Sequence, residues 1–171
     1  MIDIFGIIRF MRIPIVNEQD KIIKYIDRSE KQPWEISRVA GLWVTNEKGD
    51  VLLAQRSFDK KIDPGKWGPA VGGTVEEGET YEQNIIKEAK EEIGLTVMTL
   101  KTEHKIRRST NHEYFAQWFS TIVNSNYNFV KQDSEVEKIK WFSKEELIKS
   151  FKENPENYLP SFGSNIEYFL K

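Results

Sequence analysis

One capped helix, set between two blocks of strand-forming sequence, most constrains how this chain folds. Thr80 and Gln83 have the spacing of a capping box, and Gly94 stands where a left-handed residue ends a helix. Upstream, "RVAGLWVTNEKGDVLLAQRS" reads as two strands, near residues 39–45 and 51–55, joined through the turn "NEKGD". The next stretch, "DKKIDPGKWGPAVGG", reads as a loop, because Pro64-Gly65 marks a turn and Pro69 bars regular helix. Downstream, "TVMTLKTEHKI", "YFAQWFSTIV" and "KIKWF" read as strands. Ser143 with Glu146 opens a second helix over roughly 144–152, "NPENYLP" is a loop, and a short last helix covers 165–170. Strands on both sides of a central helix, with more helix at the end, predict one α/β or α+β domain over residues 1–171, with a mixed sheet.

Composition narrows the function classes. Charged residues make up 30% and hydrophobic ones 39%, the balance of a soluble globular chain. A net charge of −2 predicts no general affinity for nucleic-acid polymers or anionic membranes. The absence of cysteine excludes disulfides, thiolate catalysis and cysteine-type zinc sites, and is compatible with the cytoplasm, the expected location. The N-terminal "MIDIFGIIRFMRIPI" is apolar, but Asp3, Arg9 and Arg12 interrupt it and no small-residue cleavage site follows. It is shorter than the roughly 20 apolar residues of a membrane span. We read it as strand or arm material, with 1–10 as the arm and Met11 as a second candidate start. No internal repeat or low-complexity linker is visible.

The stretch "GGTVEEGETYEQNIIKEAKEEIGL" holds seven carboxylates in 24 positions. At about 100° per residue, Ile85, Ile86, Ala89 and Ile93 share one arc of the helix, the expected core face. Glu88, Glu91 and Glu92 fall on an adjoining arc, stacked at i, i+3, i+4 spacing. Like charges so placed repel, by a few tenths of a kcal/mol per pair. A solvated acidic face and a site for a hard divalent cation are both open readings of this patch. Gly72-Gly73 favours the second, since glycine lets the backbone approach a ligand closely, and Gly78 supports a turn that folds the loop over the acidic face.

These residues resemble the box of the Nudix hydrolases, G-x5-E-x7-R-E-U-x-E-E-x-G-U with U aliphatic. Gly73, Glu79, Glu88, Glu91, Glu92, Gly94 and Leu95 fill their places, and Ala89 takes the inner U position. Lys87 stands where the family has arginine. The resemblance implies an α/β/α sandwich with a mixed sheet and a loop-helix-loop that binds Mg²⁺ or Mn²⁺. It implies Glu91 and Glu92 as metal ligands and Glu88 as ligand, general base or both, with the Gly73 backbone beside the metal. It pairs Glu79 with the box arginine as a brace; Lys87 keeps the charge and loses the bidentate fork. The implied reaction is hydrolysis of a small-molecule diphosphate, in a nucleoside diphosphate linked to another group or a nucleoside triphosphate. A binding module that kept the fold and lost catalysis is the alternative from another class. Many members dimerise, so a homodimer is a further expectation.

Before the box, Arg56 and Lys60 lie four apart, with Lys61 and Lys66 nearby. They suit either a grip on phosphate or an ordinary charged loop. "R-x3-K" followed by "PG-x-W" is similar to isopentenyl-diphosphate isomerase, a branch of the same superfamily. That enzyme carries cysteine at the place of Gly72 and a metal-binding histidine at that of Thr74, so the isomerase reaction is not expected. Trp67 stacks on a substrate base or packs under the glycines. Trp43 and Trp141 read as core, and Trp34 as core or a substrate wall. His104 and His112 read as surface or strand residues. Arg107 and Arg108 read as a solvated hairpin, with a phosphate contact as the other option. Glu135 is the candidate extra acid from a loop, ahead of Glu137.

Overall fold

The expected central helix forms as α1, Tyr81–Ile93, with both halves of its capping box made. The computed structural model describes residues 11–109 and 112–171, so the expected arm over 1–10 lies outside the described residues. Thr80 Oγ1 accepts from the Gln83 amide at 3.1 Å, and Gln83 Oε1 accepts from the Thr80 amide at 2.9 Å. Such a cap stabilises a helix by about 1 kcal/mol. Gly94 ends α1 with φ 68°, a left-handed conformation that suits glycine.

A hairpin of β1, Arg12–Val16, and β2, Ile22–Asp27, opens the chain. The seven-stranded sheet is built from β3, Ser37–Thr45; β4, Val51–Arg56; β5, Trp67–Pro69; β6, Val71–Thr74; β7, Lys101–Ser109; β8, Glu113–Ile122; and β9, Val136–Phe142. Among the described strands only β3 and β8 run parallel, which makes the sheet mixed. β3 and β4 pair at Val44↔Leu52 and Thr45↔Val51 and then separate. The segment 67–74 fills the fork: β5 pairs with β4 at Leu53↔Pro69, and β6 pairs with β3 at Gly41↔Gly72 and Ala40↔Gly73. This stretch reads as loop from sequence because its strands are three and four residues long and contain Pro69 and two glycines.

Alternation along β3 separates two cores. Ala40, Leu42 and Val44 pack under α1 with Ile85, Ala89 and Ile93. Trp43 points the other way, to Val51, Leu53, Phe142, Leu147 and Phe162. Helices α2, Lys144–Glu153, and α3, Phe162–Phe169, cover that second face, and Trp43 stacks on Phe169 at 4.7 Å. The result is the expected helix–sheet–helix sandwich. Burying each large aliphatic side chain contributes about 1.5–3 kcal/mol.

Two expectations are corrected, and one element is new. Ile86 is 45% exposed rather than in the core, and the polar Asn84 is fully buried in α1 instead. α3 begins at Phe162, almost a turn before the expected start, because Phe162 anchors it in the second core. β2 has no sequence reading, because its burial is slight and its partner β1 carries the buried side chains Ile13 and Ile15. Among the described residues, no helix is long and apolar enough to cross a membrane.

Candidate active site

Strand β6 runs directly beneath α1 and brings Gly73 against Glu88. A Cβ on Gly73 would lie 2.5 Å from both Cγ and Cδ of Glu88, so only glycine leaves room for that carboxylate. Asn84 ties the layer together. Its Nδ2 donates to the Thr74 carbonyl at 3.2 Å, to Glu79 Oε2 at 2.9 Å and, at 3.4 Å, to Glu88 Oε1. Its own Oδ1 is buried without a partner. Lys87 Nζ lies 2.6 Å from Glu76 Oε1 and 2.7 Å from Glu79 Oε1. Burial alone would raise the Glu79 carboxyl, but bonds from Lys87, the Glu76 amide and Asn84 hold it below its ordinary value. The lysine at the arginine position therefore makes a brace from two point contacts.

The next acids have no such neutralisation. Glu88 is pushed up to about 6, chiefly by burial, with the Glu91 charge adding to it against the pull of Lys87. Glu92 is pushed up to about 8 by burial and then by the charges of Glu88 and Glu135; the Gly72 amide and Arg56 oppose the rise. Glu91 is exposed and is not on the wall of the cavity described below. Among the described residues, no three acidic or histidine side chains stand together at metal-ligand spacing. The donor set fits a hard divalent cation even so: it is all oxygen, and Glu88 and Glu92 are held where their charges repel.

A cavity of about 220 Å³ opens in the fork of the sheet. At one end stand Gly72, Glu92, Arg56 and Glu135; at the other stand Arg108, Tyr114, Ser161 and Asn165. Ala40, Gly41, Ala54, Ala116 and Trp118 form apolar walls between them.

The structure brings some of the expected residues together and separates others. Arg56 ends β4, donates Nε to the Ile62 carbonyl at 3.2 Å and reaches the acidic end. Lys60 is engaged with Glu135 at 2.5 Å, so the expected phosphate grip and the expected extra acid neutralise each other. Lys66 pairs with Asp63, and Lys61 is exposed. Trp67 takes the packing alternative, edge-on against Phe142 in the second core, and is not on the cavity wall. Trp34 is 73% exposed and belongs neither to the core nor to the cavity. Trp43 is core, Trp141 packs partly buried on the first core, and His104 lies in β7 against Tyr168.

Arg107 and Arg108 lie near the end of β7, in the expected hairpin with β8 but half-buried rather than solvated, and strand alternation sends them to opposite faces. Asn165 and Ser161 were not singled out; a polar residue on the buried face of the last helix was the available signal.

Comparison with known proteins follows the same geometry. Residues 35–162 match the NUDIX domain family. The chain belongs to the Nudix hydrolase family. A Nudix hydrolase of Deinococcus radiodurans is 34% identical over 90 residues, 52% of this chain and 53% of that one. An isopentenyl-diphosphate Delta-isomerase of Salmonella heidelberg is 33% identical over 92 residues, 52% of this chain and 50% of that one. The chain thus spans about half the length of these two Nudix relatives. The crystal structure of DR0079 from Deinococcus radiodurans has a TM-score of 0.81 at 23% identity, covering 94% of this chain and 99% of that one, and shares the fold.

Proposed function

We propose that this protein is a Mg²⁺- or Mn²⁺-dependent cytoplasmic hydrolase that splits the diphosphate bond of a nucleoside diphosphate linked to another group. The observation that carries this reading is the partly buried, mutually repelling pair Glu88 and Glu92, of which Glu92 stands on the wall of a cavity that Arg56 also lines. Glu88, Glu91 and Glu92, with the Gly73 backbone, would hold the cation. When bound, it neutralises charge on the phosphoryl oxygens and makes water more acidic.

The chain's own groups do the rest. Arg56 presents its guanidinium to a phosphate oxygen from the cavity wall. Lys60 exchanges Glu135 for phosphate, which frees Glu135 as an additional proton acceptor. Glu88 takes the proton of the attacking water as a P–O bond forms and the bridging P–O bond breaks. The isomerase reaction is disfavoured by the residues themselves, since Gly72 and Thr74 occupy the cysteine and histidine places and the chain has no cysteine.

The test is release of nucleoside monophosphate and phosphate products with Mg²⁺ across nucleotide sugars, ADP-ribose, dinucleotides, nucleoside triphosphates and isopentenyl diphosphate. Turnover of one class that disappears in Glu88→Gln supports the proposal. Cation and diphosphate binding without any turnover would instead identify a binding module.

A further inference from the structure

We infer that the cavity end remote from Glu92 is a second anion subsite, built by Arg108 and the first turn of α3, for a phosphate or carboxylate on the non-reacting end of the substrate. This rests on the cavity being the substrate site, as proposed above.

Two neighbouring arginines supply the first observation. Arg107 is neutralised by Glu18 at 3.1 Å and by Glu113 at 2.5 Å. Arg108, on the opposite face of β7, has no acidic partner among the described residues. Its side chain donates to Ser164 Oγ on α3, a hydroxyl that itself donates to the Ser161 carbonyl at 2.7 Å. That bond fixes the guanidinium without using its charge. Of the two carboxylates on the cavity wall, Glu92 and Glu135, both stand at the far end.

The start of α3 supplies the second. Ser161 at the N-cap makes no side-chain capping bond, so the positive end of the helix dipole meets the cavity without a side-chain oxygen to satisfy it. Asn165 also lines the cavity, is only 2% exposed, and makes no side-chain hydrogen bond among the described residues. Its amide is therefore turned to the cavity with no protein partner to compete with a bound oxyanion. A cation without a counter-charge, a helix start without a side-chain cap and an amide without a protein partner line the same part of the cavity. Together they suit an anion far better than a neutral group.

The strand register sets the spacing. Arg108 pairs with Tyr114, which pairs with Ser37, whereas Gly72 pairs with Gly41. Along β3 the two registers lie four residues apart, roughly 13 Å, and Arg108 and Gly72 stand on strands on opposite sides of β3. The walls between are apolar, and the Trp118 ring lies where a Cβ of Gly41 would be. The substrate class that fits has a diphosphate at one end, a ring-like middle and an acidic group at the other end.

Matched pairs that differ only in that group give the test: NADPH against NADH, and UDP-glucuronate against UDP-glucose. We expect the wild type to favour the acidic member of at least one pair by about tenfold in kcat/KM, the scale of one charge-assisted hydrogen bond. Arg108→Gln should abolish the preference while keeping turnover of the neutral member, Arg108→Lys should keep part of it, and the exposed Lys149→Gln should keep all of it. Equal kcat/KM within both pairs in the wild type, or a preference that survives Arg108→Gln, overturns the subsite and leaves the hydrolase reading standing. Absence of turnover of every diphosphate tested counts against the hydrolase reading. The subsite is then judged by calorimetry on the same pairs. Tighter binding of the acidic member, lost in Arg108→Gln, supports it; equal binding or none overturns it.

Discussion

Within one 24-residue stretch, two groups of glutamates behave in opposite ways. Glu76 and Glu79 meet Lys87 at 2.6 and 2.7 Å, and Glu77 meets Arg12 at 2.8 Å. Glu79 is held below its ordinary value. On α1 itself, Lys87 reaches Glu88 only at 4.0 Å, and Glu88 and Glu92 are pushed up to about 6 and about 8. The residue type is the same and burial acts on both groups. The difference is whether the chain brings its own cation. Where it does, the acids are a brace; where it does not, the proposed function has a cation from outside complete the site.

The largest expected effect tests the second group. Glu88→Gln should lower kcat by about 10²- to 10⁴-fold, the range for a lost general base. Neither Glu88→Gln nor Glu92→Gln should lower the melting temperature of metal-free protein, because each removes a repulsion. Saturating Mg²⁺ should stabilise the wild type, by about 2.7 kcal/mol at a hundredfold excess over Kd, and Glu92→Gln should lose most of that gain. If Glu92→Gln instead destabilises the metal-free protein, the acids are structural and the contrast fails.

The next effect tests the brace. Lys87→Met leaves Glu76 and Glu79 without their cation and should cost about 2 kcal/mol in denaturant unfolding. Lys87→Arg should stay within about 0.5 kcal/mol of the wild type, since both keep the charge. A Lys87→Met protein as stable as the wild type would show that the brace carries no weight. Gly73→Ala comes third. Its Cβ would collide with the Glu88 side chain, so a cost of about 1–2 kcal/mol is expected, with kcat falling more than stability. Unchanged kcat would separate Glu88 from the chemistry.

Much of this was legible in the sequence because it depends on local spacing. Thr80, Gln83 and Gly94 set the bounds of α1, and the i, i+3, i+4 rule put Glu88, Glu91 and Glu92 on one face. Residues whose role depends on distant partners were not legible. Lys60 and Glu135 are 75 positions apart, and nothing local says that they meet. Arg108 differs from Arg107 only by strand alternation and by what α3 places above it. The fork itself is a tertiary event: Pro69 and the glycines read as loop, and they become strands only because β3 and β4 diverge to receive them.

The smallest effect sharpens the comparison with a third acid, Asp20, at the tip of the β1–β2 hairpin. Arg38 Nε and Lys105 Nζ each lie 2.7 Å from its carboxylate, and Tyr81 Oη donates to it at 3.1 Å. The contact ties the hairpin to β3, to β7 and to the first residue of α1. Burial opposes ionisation, but the bonds from Lys105 and Arg38 outweigh it and keep the carboxyl below its ordinary value. As pH falls, the unfolded chain therefore takes up this proton before the folded one does. The stability that Asp20 supplies is complete above its unfolded value, about 3.9, and is lost as pH falls from there through the folded value. Asp20→Asn removes the charge while tolerating the left-handed backbone at φ 56°. It should cost about 1 kcal/mol at pH 7, and the gap to the wild type should close toward pH 3. Glu88 and Glu92, raised instead of lowered, give the opposite slope in metal-free protein. Urea unfolding of both proteins at pH 7, 5 and 3 reads the sign directly. A gap that stays constant would mean that the carboxylate acts through shape and hydrogen bonding, and the division of these acids by their cations would not extend to the hairpin.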